Sequence, residues 1–248
     1  MFDRRVDAFI SINAFLFDVV WDDGLTSRAQ VNPEFGTLAE ATIEAEKYSF
    51  LIGQLPTTLR EDVDEIWIHK GDENFGGGNN SILIHTGKTV LYEFLGILEE
   101  TLVHEASHTS LDAAHSTSTG WLNAQNMDNE FISTYAQDNP TREDIAESFL
   151  TWLAVRYREY SISTDYFNNV TQTIPNRLDY FDLQNFDLYP FENPLSTNDY
   201  QLRNIIIYPN PTTDILNITG GSFNTNDCKI YDIMGKDITH LTTYGNNK

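Results

Sequence analysis

A single cysteine, Cys228, stands in the 248 residues, so no disulfide can close within the chain. That excludes a disulfide-stapled scaffold and leaves the compartment open, because exported proteins also fold without disulfides. Basic residues are scarce: 15 Lys and Arg against 37 Asp and Glu give a net charge of −22. A field of that sign repels nucleic acid and anionic membranes, so no nucleic-acid partner is expected. The acidity reads as solubility in a salty or extracellular setting rather than as a cation site. No stretch reaches the roughly 18 apolar residues that a membrane span needs. The opening Met1-Phe-Asp-Arg-Arg-Val-Asp7 also lacks the apolar run and small-residue cleavage site of a signal peptide. Either the protein is cytoplasmic or a leader is missing from this sequence.

What is present suits a folded protein. The chain is 40% hydrophobic and 12% aromatic, which predicts one sizeable core with a small appendage. Residues 7–20 are dense in Phe, Ile and Val and read as buried helix or strand. Residues 38–53 place Leu38, Ala41, Ala45, Tyr48 and Leu51 at helical spacing. Ile66–His69 and Ser81–Thr86, bridged by the Gly-rich turn at 76–80, read as paired strands. Gly87-Lys88-Thr89 has the tail of a phosphate loop, but Ile82 occupies the position where the loop needs its first Gly. A polar turn between strand and helix is expected there instead. One helix should run from Leu91 past His115 with Leu95, Leu98, Leu102 and Ala106 along its apolar side. A Ser/Thr/Asn-rich loop follows over 116–134, then a helix over 141–157 with Thr141 as N-cap. Residues 161–200 read as peripheral packing and then a linker.

The organising motif is His104-Glu105-Ala106-Ser107-His108, a match to H-E-x-x-H. Two imidazoles four apart on a helix lie about 40° apart around the axis and roughly 6 Å along it. Both can reach one Zn²⁺, while Glu105 projects beside the metal, where it can take a proton from a water the metal holds.

Three residues compete to be the third ligand. In the metzincin pattern H-E-x-x-H-x-x-G-x-x-H, Leu111 occupies the Gly position and His115 falls one residue late. Without that Gly, His115 lies about 10 Å along the helix from His108. Asp112, one turn after His108, is better placed to touch that imidazole than to share its metal. Glu143, with Glu147 one turn later, offers a carboxylate for the metal and another for the free nitrogen of a ligand imidazole. Acids in a first helical turn are also ordinary dipole partners, but apolar Ile145, Ala146, Phe149 and Leu150 make this helix buried, and buried carboxylates need partners.

H-E-x-x-H followed by Tyr135, Glu143, Glu147, Ser148 and Phe149 resembles the gluzincin metallopeptidases, especially lethal-factor-like and Pro-Pro endopeptidase members, over residues 95–157. The spacing from Tyr135 to Glu143 is about one residue longer than in that pattern. The resemblance implies His104, His108 and Glu143 as zinc ligands, Glu105 as general base, Glu147 as outer partner of a ligand imidazole, and the Tyr135 hydroxyl over the substrate carbonyl. In such folds an antiparallel edge strand beside the site aligns the peptide, and Ser81–Thr86 is the candidate. His69 and His85 are expected as strand or cleft residues rather than ligands.

From Asn204 the texture changes to short strands with Pro and Gly turns. Tyr208-Pro-Asn-Pro211 and the later Ile230-Tyr-Asp-Ile-Met-Gly-Lys236 resemble the type IX (Por) secretion C-terminal sorting domain. That implies export, with the type IX machinery as partner and a secreted or cell-surface location. The module is short and no leader precedes the chain, as truncation at both ends would produce.

The expected architecture is α+β. A zincin-like catalytic domain spans 1–195, with an active-site helix and a second ligand-bearing helix. A linker over 196–203 and a partial β-sandwich sorting module over 204–248 follow. The expected function is a secreted zinc-dependent endopeptidase acting on protein or peptide substrates. An inactive zincin-fold binding protein, or a zinc hydrolase of small amides or cell-wall peptides, are the alternatives.

Overall fold

The computed structural model describes residues 1–191 together with 206–208, 217–219, 229 and 239. The chain divides into two compact units, Met1–Glu192 and Asn193–Lys248. The linker expected over 196–203 lies outside the described residues.

The first unit is mixed α+β. A short hairpin pairs β1 (Phe2–Asp3) with β2 (Ala8–Phe9). A five-stranded sheet follows, built from β3 (Phe15–Val20), β4 (Thr26–Val31), β5 (Glu65–His69), β6 (Gly76–Gly78) and β7 (Ser81–His85), in the order β3-β4-β5-β7-β6. The outer pairs β3–β4 and β7–β6 are antiparallel; β4–β5 and β5–β7 are parallel. Every residue of β7 is buried, as expected for a strand covered on both faces. The apolar stretch at 7–20 is divided between β2 and the edge strand β3, in which Phe15, Phe17 and Val19 face inward while Leu16 and Val20 face solvent.

Helix α1 (Leu38–Gly53) starts on a capping box in which Thr37 Oγ1 accepts from the Glu40 amide and Glu40 returns a bond to the Thr37 amide. Ala41, Ala45, Tyr48 and Ile52 form its buried stripe, whereas Leu38, at the first helical position, stays exposed. The one-turn α2 (Thr57–Arg60) leads into β5.

Several expectations need correction. Residues 76–78 are a strand rather than a turn; Asn79 and Asn80, at φ 50° and 57°, make the turn, as two-residue hairpin loops require. Ile66–His69 and Ser81–His85 do pair, but in parallel, because the Gly strand lies between them in the chain. Ser81–His85 is therefore flanked on both sides, and the free edge belongs to β6. The helix expected from Leu91 past His115 is three pieces: α3 (Thr86–Leu95), α4 (Leu98–Ser110) and α5 (Asp112–His115). Gly96 ends α3 in the left-handed region at φ 70°, a conformation that a residue with a Cβ adopts only with strain. That turn swings Leu95 out to solvent while Leu98, Leu102 and Ala106 stay on the core side.

The supposed loop after 116 contains α6 (Thr119–Met127), capped by Ser118, and then α7 (Thr134–Asp138). Helix α8 runs Asp144–Tyr157, so Glu143, not Thr141, occupies the cap position. Residues expected at the periphery form α9 (Thr164–Thr173) and α10 (Pro175–Asp182), and Arg177, Leu178 and Phe181 are buried. There Trp121, Phe149, Trp152, Phe181 and Phe186 pack edge-on and tilted, completing a core continuous with Ile66, Ile68, Ile82 and Ile84 of the sheet.

In the second unit β8 (Ile206–Tyr208) pairs antiparallel with β9 (Asn217–Thr219). The remainder of the expected β-module lies outside the described residues.

Candidate metal centre

Helices α4 and α8 pack together and bring His104 and His108 of the first against Glu143 at the start of the second. His104 Nε2 and His108 Nε2 are 3.1 Å apart, and Glu143 Oε2 lies 3.1 Å from His108 Nε2 and 3.4 Å from His104 Nε2. A tetrahedral zinc with ligands at about 2.0–2.1 Å separates its donor atoms by roughly 3.3 Å, so this triangle has the size that such an ion requires. Among the described residues, these three form the group of His, Cys and acid side chains able to share one ion.

The outer ring nitrogens are also held. His104 Nδ1 meets Glu147 Oε1 at 3.3 Å, and His108 Nδ1 meets Asp112 Oδ2 at 2.9 Å. A carboxylate on Nδ1 fixes the proton there and turns the Nε2 lone pair inward. Two lone pairs and a carboxylate oxygen then converge without a donor between them. Only a cation relieves that arrangement: a metal ion or protons.

The titration behaviour carries the same message. Burial pulls His104 down, yet the Glu143 and Glu147 carboxylates overcome it and raise the imidazole to about 10. For His108 burial is likewise outweighed, by Asp112 and Glu143, and it rises to about 9. Burial opposes the Glu143 charge, but hydrogen bonds from both imidazoles hold it well below the usual carboxylate range, with the Tyr135 hydroxyl adding to them. Glu147 is lowered chiefly by its bond to His104.

Glu105 lines the same cleft, of about 410 Å³, without joining the triangle. Burial raises its pKa, and the positive charges of His104, His108 and Arg4 offset that only in part. Tyr135, on α7, reaches the cleft from a half-exposed position. The edge strand β6 abuts the helix beneath: a Cβ on Gly77 would stand 1.8 Å from the Glu105 carbonyl oxygen. Thr109 ties the two together, accepting from the Gly78 amide at 2.9 Å and sharing its proton between Ser81 O and Glu105 O, each at 3.0 Å.

The remaining candidates stand elsewhere. Asp112 touches His108 rather than the triangle, as its helical spacing anticipates. His115 bonds Tyr180 Oη at 2.6 Å and packs on Phe186. His69 and His85 are fully buried and stacked at 5.3 Å. The Phe2 carbonyl can only accept, so His69 Nε2 donates to it, and Nδ1 accepts from Asn32 Nδ2.

The comparisons with known proteins bear on the second unit. Residues 206–248 match the family model of the secretion system C-terminal sorting domain. The protein is thus a secreted or cell-surface protein, and the type IX secretion machinery is its partner in export. No curated protein matches the chain, and neither does any solved structure.

Other features of the site escaped sequence reasoning. Arg4 and Arg142 both line the cleft. Behind it, Arg177 bonds Asp144 at 2.8 Å and Asp128 at 3.0 Å, all three buried, which anchors the first turn of α8 beside Glu143. The one available signal was a lone Arg in an otherwise apolar helical stripe, Ile174, Arg177, Leu178, Phe181.

Proposed function

We propose that the protein is a secreted zinc-dependent endopeptidase with a zincin-like catalytic unit. The observation that carries this reading is the inward triangle of His104 Nε2, His108 Nε2 and Glu143 Oε2, each imidazole backed by its own carboxylate, with Glu105 alongside. His104, His108 and Glu143 would hold the zinc. When bound, zinc acts as a Lewis acid that polarises a scissile carbonyl and makes water a nucleophile near neutral pH.

The chain's own residues supply the rest. Glu105 accepts the proton of the attacking water and delivers it to the leaving amine. Its pKa, raised by burial, makes it a stronger base for the first half of that exchange. The Tyr135 hydroxyl is a donor for the carbonyl oxygen as charge develops there. An extended peptide can add to the free edge of β6, aligned by main-chain hydrogen bonds.

Glu105→Gln tests the assignment. The variant should bind one zinc like the wild type and lose hydrolysis of an unfolded protein substrate. A wild type that binds zinc but leaves unfolded proteins and peptides intact would favour a binding role for this fold.

A further inference from the structure

We propose that Arg4 is a carboxylate receptor on the wall of the metal cleft, so that the peptides this site takes carry an acidic group close to the bond presented to Glu105. The group is an acidic side chain or a free C-terminal carboxylate. The proposal rests on the peptidase reading for what is cleaved, but not for what Arg4 binds.

Arg4 and Arg5 sit in the turn between β1 and β2. Arg5 is fully engaged, bonding Asp3 at 2.7 Å and Glu34 at 2.6 Å, which fastens the turn to the chain beyond β4. The bond from His69 Nε2 to Phe2 O secures its other side. The turn is thereby a fixed platform, and Arg4 extends from it into the cleft that holds His104, Glu105 and His108. Its guanidinium lies over Gly76: a Cβ there would come within 2.8 Å of Arg4 Nη2. A glycine at this point of the edge strand clears the space.

What sets Arg4 apart is what it does not contact. Arg5, Arg28, Arg60, Arg156 and Arg177 all pair with acids. Arg158 bonds the Tyr160 hydroxyl. Arg142 also lines the cleft, but its Nε is 3.5 Å from Glu143 Oε1, so its charge is already engaged. Among the described residues, Arg4 is the arginine whose side chain makes neither an ion pair nor a hydrogen bond. In a chain with 37 acids and 15 bases, a guanidinium fork left open beside a reaction centre is a vacant seat for a carboxylate. Arginine presents paired N–H groups that match both carboxylate oxygens, and such charge-assisted contacts are about twice as strong as neutral ones. The net negative field disfavours acidic peptides over the rest of the surface, so their capture would localise at this residue.

The test measures binding, so that it stands apart from hydrolysis. Zinc-loaded Glu105→Gln protein is titrated against fluorescent hexa-alanine amides carrying Glu or Gln at each position in turn, and against hexa-alanine with a free or an amidated C-terminus. Fluorescence anisotropy reads the affinities. At least one carboxylate peptide should bind about tenfold tighter than its neutral twin, a difference within the strength of a hydrogen-bonded charge pair. Which twin pair shows it identifies the source of the carboxylate. Adding Arg4→Gln should erase the preference and Arg4→Lys should keep part of it. Arg28→Gln, which removes the same charge three strands from β6, should leave it unchanged. Equal binding of all twins, or a preference that survives Arg4→Gln, overturns the proposal. Failure of the wild type to cut any peptide is a separate result that bears on the peptidase reading alone.

Discussion

Glu147 Oε1 lies 3.3 Å from His104 Nδ1, on the ring nitrogen opposite the one that meets Glu143. Glu143 and Glu147 are one helical turn apart, so the start of α8 grips both sides of a single imidazole. Asp112 does the same service for His108 from its own helical segment. Glu147→Gln and Asp112→Asn should each weaken zinc binding about 10- to 100-fold without abolishing it. Glu143→Ala should remove stoichiometric binding, and His115→Ala should leave it intact. Competition against a chromophoric chelator measures all four; loss of metal only in the His115 variant would sink the ligand set.

Proton release follows from the same contacts. Without metal, His104 titrates near 10 and His108 near 9, both raised above the ordinary imidazole value. Their charged forms therefore stabilise the metal-free fold in full below about pH 6.5, and that contribution disappears as pH climbs through 9 to 10. Zinc needs both nitrogens deprotonated. At pH 7 each zinc bound should expel about two protons, and apparent affinity should strengthen as pH rises toward 9. Calorimetry in two buffers of different ionisation heat counts the protons; none released would contradict the pairing described here.

The buried cluster behind the site should behave differently on being broken or replaced. Arg177, Asp128 and Asp144 have fully buried side chains. Arg177→Met leaves two carboxylates in the interior without their cation, which costs about 3–5 kcal/mol. Urea unfolding would read it as a lowered midpoint at unchanged slope. Because Asp144 follows Glu143 directly, zinc affinity should fall in the same variant even where it remains folded.

Much of this site was written in local pattern. The H-E-x-x-H spacing and the acids ahead of Phe149 each declare themselves within a few residues. The elements whose local pattern misleads depend on contacts far along the chain. Leu95, Leu98 and Leu102 keep helical spacing straight across Gly96, and only the left-handed turn at that residue separates two helices. The glycines of β6 have little strand propensity of their own; pairing with β7 makes them a strand, and at Gly77 α4 lies too close for any side chain. Arg177 could be recognised as core only once Asp128 and Asp144 were in place around it. Nothing near Arg4 in sequence announces a cleft, since its position is set by Glu34 and His69.

His69 should make the fold sensitive to acid. Burial lowers its pKa to about 4, and both ring nitrogens are committed in the neutral form, one to the Phe2 carbonyl and one to Asn32. The unfolded chain binds the proton at about 6.5, so stability is fully present above that value and is lost as pH falls toward 4. The loss is on the order of 3 kcal/mol at most. Denaturant titrations at pH 7 and pH 4.5 should show it in the wild type, and His69→Gln should flatten this part of the profile. An unchanged slope in the variant would place the acid sensitivity elsewhere.

Gly77→Ala is the most economical probe of how the strand and the helix cooperate. The added methyl would meet the Glu105 carbonyl oxygen at 1.8 Å, an approach that neither backbone can tolerate. Either β6 moves off α4, or the helix carrying His104, Glu105 and His108 shifts, and the two responses are separable. Displacement of the strand should weaken peptide binding and leave zinc affinity as it was, because the ligands stay on α4 and α8. Displacement of the helix should reduce zinc affinity as well, since the donor triangle tolerates little change in its 3.1 Å sides. The Thr109 bonds to Gly78 and Ser81 pin the strand from the helix side, so Thr109→Val combined with Gly77→Ala frees β6 to move alone. Zinc affinity that falls in Gly77→Ala and recovers in the double variant would show that β6 holds the active-site helix in place as well as presenting an edge to the peptide.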